Sequence, residues 1–246
     1  MLKNRTMVIT GANQGIGFET VRRCSLKGAN VFAVVRNAID DTLLKLKKIE
    51  AESGCPIKIF ECDFLNEESI KNCASTILAE KVPLSGIVNV ASIFSKKKSF
   101  ESTSTEEIKK IFEVNLFGPL FFTQKLLKNM IRSKKGSIVN VSSTAAFDGD
   151  PGGFEYCSSK AALIGATKKI SRELAAFGIR VNAVAPGIMD ADMAKSLDET
   201  DLQEVLNRTP LKRLAKPVEI AETIVWLLSD ESSFITGQTI RVDGGL

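Results

Sequence analysis

The chain has 246 residues, 44% of them hydrophobic, with 33 basic and 29 acidic side chains and a net charge of +4. That composition is ordinary for a globular protein and excludes the disordered, collagen-like and small disulfide-scaffold classes. The basic surplus is too mild to argue for nucleic-acid binding. Histidine is absent, which excludes Ser-His-Asp and Cys-His machinery and every histidine metal site, so any acid or base here must be a group whose pKa the fold has moved.

In chain order, short apolar runs predict buried strands at 7–10, 30–35, 57–61, 86–90, 137–141, 180–185 and 239–242. Longer segments with helical spacing lie between them, near 17–27, 40–52, 67–80, 105–132, 155–177 and 217–229. Apolar strands alternating with helices predict one α/β domain over 1–246, a doubly wound Rossmann-type parallel sheet with helices on both faces. Such sheets bind ligands at the carboxyl ends of their strands. Residues 188–212 follow a strand end, carry little strand pattern, and are expected to form a substrate loop. Lys96, Lys97 and Lys98 read as a solvated turn. The five cysteines are odd in number and lack a CxxC pair, as expected of reduced thiols in a cytoplasmic protein. The N-terminus shows no signal-peptide pattern, and no stretch approaches the ~18 apolar residues of a membrane span.

Two short patterns carry chemistry. The first strand ends in Thr10-Gly11-Ala12-Asn13-Gln14-Gly15-Ile16-Gly17, with a helix following at once. Glycines there allow positive φ and close approach of a phosphate, which the free N–H groups at the helix start then bind. That context predicts a dinucleotide. Tyr156, the only tyrosine, precedes Lys160 by four residues in a helical segment. The spacing puts both on one face, about 5–6 Å apart at Cβ. An ammonium so near a phenol is expected to lower the phenol's pKa from ~10 and let it exchange protons without histidine.

These motifs, with Ser143 closing the strand 137–141 and Asn115 in Val114-Asn115-Leu116-Phe117-Gly118, resemble those of the short-chain dehydrogenase/reductases. The resemblance runs from Thr10 to the end of the chain. It implies that Tyr156 is the general acid in carbonyl reduction and that Ser143 hydrogen-bonds the substrate oxygen. Lys160 would lower the tyrosine pKa and hold the nicotinamide ribose, with Asn115 supporting a water relay to Lys160. It assigns Gly11, Asn13, Gln14, Gly15, Ile16 and Gly17 to the phosphate turn, and Asp63 with Phe64 to the adenine. Asn89 and Ala91 go to the adenosine ribose, and Pro186, Gly187 and Ile188 to the nicotinamide side. No metal is implied. Three departures stand out: Val90 and Ser92 within Asn89-Val90-Ala91-Ser92, Ala191 in place of a threonine, and Asn13-Gln14 where a basic residue is usual. NAD-dependent relatives carry an acidic residue where this chain has Val35. The next residue, Arg36, suits a 2′-phosphate, so NADP is favoured over NAD.

Within the family, 156–193 and 228–245 look most like the 3-oxoacyl-[acyl-carrier-protein] reductase branch. That likeness implies NADPH-dependent reduction of a 3-oxoacyl thioester, a possible acyl carrier protein partner and a homotetramer. Lys134 matches one basic docking position, whereas Phe177 stands where another often has arginine. The alternatives are a same-fold enzyme for a sugar, polyol, steroid-like or small ketone substrate, or a non-catalytic NADP-binding sensor. Substrate identity is expected to lie in 92–101, 144–154 and 188–212.

Overall fold

Seven parallel strands form one sheet in the computed structural model, which describes residues 2–95, 98–150, 152–189 and 199–246. The strands are β1 (Thr6–Thr10), β2 (Asn30–Val35), β3 (Ile57–Glu61), β4 (Leu84–Asn89), β5 (Gly136–Val141), β6 (Ile179–Pro186) and β7 (Thr239–Val242), in the order β3-β2-β1-β4-β5-β6-β7. The order reverses between β1 and β4, so the connections leaving these two strands diverge and open a crevice at their carboxyl ends.

Alternate strand residues point to opposite faces, and both faces are covered. Met7, Ile9, Val31 and Ala33 pack against Val21 of α1 (Gly15–Leu26), Leu46 of α2 (Asp40–Ser53) and Ile224 of α9 (Pro217–Leu228). Val8, Phe32 and Val34 pack on the other side against Ile70 of α3 (Glu67–Ala79) and Phe122 and Leu126 of α5 (Gly118–Ser133). Two buried faces explain the continuous apolar runs, and each fully buried aliphatic side chain contributes about 1.5–3 kcal/mol. The doubly wound architecture expected from the sequence is the one found.

The helix expected over 105–132 differs. It is two helices, α4 (Thr105–Phe112) and α5, joined by a π-helical turn at Glu113–Phe117. Such a turn widens the helix and recurs at functional sites; here it carries Asn115. In the loop expected at 188–212, α8 occupies Glu199–Arg208, where Leu202, Val205 and Leu206 supply a short helical stripe that is half-buried. Ala191 and residues 190–198, like Lys96 and Lys97, lie outside the described residues. Among the described residues no helix is long and apolar enough to cross a membrane.

A buried polar chain crosses the middle of the sheet. The Asn89 side-chain amide donates to Thr123 Oγ1 of α5 (3.0 Å) and Asn140 Oδ1 of β5 (2.8 Å). Asn140 donates in turn to Thr167 Oγ1 (2.9 Å) of α7 (Phe154–Leu174). Buried hydrogen-bonded chains of this kind fix the relative orientation of the elements they join. This one locks α5, next to Asn115, and α7, which carries Tyr156, to the sheet.

Candidate active site

The turn after β1 is built for an anion. Gly11 and Gly15 take φ of +66° and +52°, a region that penalises any side chain. A Cβ on Gly17 would stand 2.0 Å from the Gly11 carbonyl oxygen, so only glycine lets α1 start this close to the turn. Gln14 caps α1 without a side-chain bond, and the first turn holds no acidic residue. The unpaired N–H groups and the positive end of the helix dipole therefore face the crevice.

The crevice is a cavity of about 900 Å³, at the upper end of small-molecule sites. Gly11, Asn13, Gln14, Gly15 and Ile16 line it from the turn, Arg36 from the end of β2, and Asp63 and Phe64 from the end of β3. Ala91 follows β4, Ser143 follows β5, Tyr156 and Lys160 come from α7, and Pro186, Gly187 and Ile188 lie at and after the end of β6. Arg36 is exposed and makes no ion pair among the described residues. Val35, buried beside it, presents no carboxylate. Asp63 accepts from the Leu65 N–H (3.0 Å), while the cap of α3 is Asn66.

Three expected residues do not line the cavity. Gly17 is packed against the Gly11 carbonyl. Asn115 is buried behind the wall, and Asn89 is buried within the sheet. Asn89, expected at the adenosine ribose, has its side-chain amide nitrogen committed to Thr123 and Asn140 and its Oδ1 buried without a hydrogen bond among the described residues. The loop after β4 is instead held by Thr10, whose Oγ1 accepts from the N–H groups of Val90 (3.0 Å) and Ala91 (3.1 Å). Thr10 was visible only as part of the turn motif, because its partners lie about 80 residues away.

Around Tyr156 the groups are close and dry. Lys160 is fully buried, its Nζ donates to the Val141 carbonyl (2.9 Å) and lies 5.8 Å from the centre of the Tyr156 ring. Ser142 Oγ donates to the Lys160 carbonyl (2.8 Å), which fixes α7 to the end of β5. Asn115 accepts from the Ile93 N–H (2.8 Å) and donates to the Ile93 carbonyl (3.0 Å) and to Ser159 Oγ (3.2 Å). It thereby couples the loop after β4 to the helix of Tyr156 and Lys160.

The electrostatics reverse one expectation. Burial pushes the Tyr156 phenol up to about 12, with a hydrogen-bonding interaction from Ser143 pulling the other way. Burial alone pushes Lys160 down to about 7. The spacing argument had Lys160 lowering the tyrosine; burial is instead the leading influence on both groups, and it disfavours both charged forms. Tyr156 is a protonated donor at neutral pH, and Lys160 titrates there in place of the missing histidine. Lys110, which the sequence reading left out, also lines the cavity, as do Phe94 and Met189 from the stretches 92–101 and 188–212 expected to set the substrate. Strand-end position was the available signal for Met189.

A family model described as enoyl-(acyl carrier protein) reductase matches residues 11–246. The 3-oxoacyl-[acyl-carrier-protein] reductase of Thermotoga maritima is 38% identical, across 100% of this chain and 98% of its own length. Among solved structures, a levodione reductase superimposes with a TM-score of 0.93 at 27% identity, covering 100% of this chain and 98% of that one. A 3-oxoacyl-[acyl-carrier protein] reductase from Brucella melitensis with bound NAD gives 0.89 at 30%, covering 99% and 91%. With the glycine turn, the buried lysine–tyrosine pair and the serine of one cavity all in register, the chain belongs to the short-chain dehydrogenase/reductase family of oxidoreductases.

Proposed function

We propose that the protein is an NADP(H)-dependent reductase of a 3-oxoacyl thioester, with Tyr156 as general acid. The observation that carries this reading is the convergence of Ser143, Tyr156 and Lys160 on the same cavity as an uncapped helix N-terminus and the exposed cation Arg36. The residues present fit a dinucleotide: a phosphate cradle that a Cβ on Gly17 would close, Asp63 and Phe64 for the adenine, and Arg36 for a 2′-phosphate. What a bound nicotinamide supplies is the hydride that reduces the carbonyl carbon.

The chain's own residues handle the oxygen and the proton. The hydroxyls of Ser143 and Tyr156 hydrogen-bond the carbonyl oxygen and polarise it. Tyr156, which holds its proton at neutral pH, passes it to that oxygen as negative charge develops there. The Lys160 ammonium stabilises the phenolate left behind, because opposite charges in a buried site attract strongly. Asn115 acts as a positioning residue by holding the Ile93 loop and α7 together.

For the acyl carrier protein, Lys134 is exposed, and its carbonyl abuts Gly178 so closely that a Cβ there would lie 2.3 Å away. Lys134 and the exposed Phe177 are thus neighbours, and the docking face keeps one cation beside an apolar side chain. Self-association, as in a homotetramer, is supported by the large apolar side chains left in solvent at Phe117, Phe147 and Phe234. A cytoplasmic setting agrees with cysteines that form no disulfide.

The deciding experiment follows oxidation of NADPH and NADH at 340 nm with acetoacetyl thioesters of coenzyme A and of acyl carrier protein. Turnover that is faster with NADPH and on the carrier protein is the expected result. NADPH binding with no turnover of either thioester would overturn the substrate assignment. A preference for NADH would overturn the role of Arg36.

A further inference from the structure

We propose that Phe94 is the specificity-determining residue of this site, selecting carbonyls that carry an apolar chain over polyhydroxylated ones. The inference rests on the reductase reading above. Phe94 lines the cavity with Ser143 and Tyr156. Its ring meets the Tyr156 ring edge to face, with centroids 5.1 Å apart and planes at 73°, a favoured aromatic geometry.

The ring is held in place from both sides. Ile93, the preceding residue, is pinned through both backbone groups to the Asn115 carboxamide. The carbonyl of Ser95, the following residue, accepts from the Gly153 N–H (3.2 Å). Gly152 closes over both rings at φ +116°, where a Cβ would stand 3.0 Å from Phe94 and 3.1 Å from Tyr156. Phe94 is therefore a rigid wall one ring-width from the proton donor.

The Phe94 ring itself offers no hydrogen-bonding partner to a substrate chain laid on it. Ile93, Ile188 and Met189 are apolar lining residues, and hydroxyls line the cavity at Ser92, Ser142, Ser143, Thr144 and Tyr156. The charged lining residues are Arg36 after β2, Asp63 after β3, Lys110 on α4 and Lys160 on α7. A hydroxylated chain laid on the Phe94 ring would lose its water hydrogen bonds without replacement, whereas an alkyl chain gains by leaving water. Discrimination then falls on the atoms next to the carbonyl, where the ring stands.

The test compares wild type, Phe94→Ser and Phe94→Leu with NADPH. The substrates are the N-acetylcysteamine thioesters of 3-oxobutanoate and 3-oxooctanoate, and dihydroxyacetone. Binding of the 3-hydroxyoctanoyl thioester is read separately by calorimetry. Wild type is expected to favour the 3-oxooctanoyl thioester over dihydroxyacetone. Phe94→Ser should raise KM for the octanoyl substrate about tenfold or more, in the range that apolar pocket contacts command, and weaken calorimetric binding in parallel. The kcat and the NADPH Kd should hold within about threefold, and Phe94→Leu should restore KM. Discrimination that is unchanged in Phe94→Ser, or a kcat that falls equally for all three substrates, would overturn the assignment while leaving the reductase reading intact. Wild type reducing none of the panel would overturn both. NADPH binding by each variant serves as the control for folding.

Discussion

Replacing Lys160 by methionine should stabilise the protein near neutral pH while destroying its activity. Burial lowers the Lys160 pKa from 10.5 to about 7. At about 1.36 kcal/mol per pH unit, that fall corresponds to about 5 kcal/mol spent on keeping a charged ammonium buried. The sign follows from proton counting. Between pH 7 and 10.5 the unfolded chain holds a proton on this amine and the folded chain does not, so wild-type stability rises with pH through that window. Below pH 7 both forms are protonated and the full penalty applies; above 10.5 neither is, and it vanishes. Methionine removes the penalty but forfeits the 2.9 Å bond to the Val141 carbonyl, and a buried acceptor left unpaired costs about 1–3 kcal/mol. The net expectation at pH 6–7 is a gain of about 2–4 kcal/mol, or roughly 5–15 °C in Tm for a chain of this size. The advantage should shrink by about 1.4 kcal/mol per pH unit and disappear near pH 9. Urea denaturation of wild type and variant at pH 6.5, 7.5 and 8.5 measures this difference, and the rest of the chain cancels from it. Tyr156, pushed up to about 12, affects stability only as pH rises above about 10, outside the range. A pH-independent difference would refute the depressed lysine, and a variant less stable at every pH would mean that packing and the Val141 bond outweigh desolvation.

Tyr156→Phe keeps the ring and its contact with Phe94 but removes the proton; turnover at 340 nm should vanish while NADPH fluorescence titration shows a Kd within a few-fold of wild type, and retained turnover would remove Tyr156 as the acid. Gly17→Ala places a methyl 2.0 Å from a backbone oxygen that has no flexible side chain to give way; it should lose about 1–3 kcal/mol in urea denaturation and most of its NADPH affinity, and a wild-type Kd would show that the turn does not hold the phosphates. Arg36→Glu should weaken NADPH at least about tenfold more than NADH, by loss of one charge-assisted contact and addition of a repulsive charge; equal effects on both would detach Arg36 from a 2′-phosphate. Asn115→Ala leaves the part-buried Ile93 N–H and carbonyl unpaired and should cost about 2–6 kcal/mol at about 1–3 kcal/mol per group, with differential denaturation as the measure.

What could be read in advance was whatever depends on short separations. The turn at 10–17 is recognisable because one strand, three glycines and one helix start lie within eight residues. The Tyr156–Lys160 pair follows from helical period alone. Arg36 was placed at the cavity because strand ends in a doubly wound sheet face the ligand. The partners of Asn89 were hidden for the opposite reason: Thr123 and Asn140 lie 34 and 51 residues away, and only the sheet order brings them to its amide. The π-helical turn was hidden too, since Glu113–Phe117 keeps the apolar spacing of an ordinary helix.

The Tyr156 shift shows most clearly where local reasoning stops. Four residues of helix make Tyr156 and Lys160 neighbours, and neighbouring charges alone would predict a lowered phenol. Whether attraction or desolvation wins depends on how much water reaches the pair, and that is set by β5, the Asn115 turn, Gly152 and Phe94, elements spread over 59 residues from 94 to 152. They enclose both groups so completely that each prefers its neutral form. A chain without histidine thereby acquires a group that titrates near pH 7, and the acid beside it stays loaded until a developing negative charge on the substrate oxygen draws the proton away. Burial, which opposes the lysine's charge in the ground state, makes that charge most effective when the phenolate forms, because the same low dielectric that penalises a lone ammonium strengthens its attraction to a new anion.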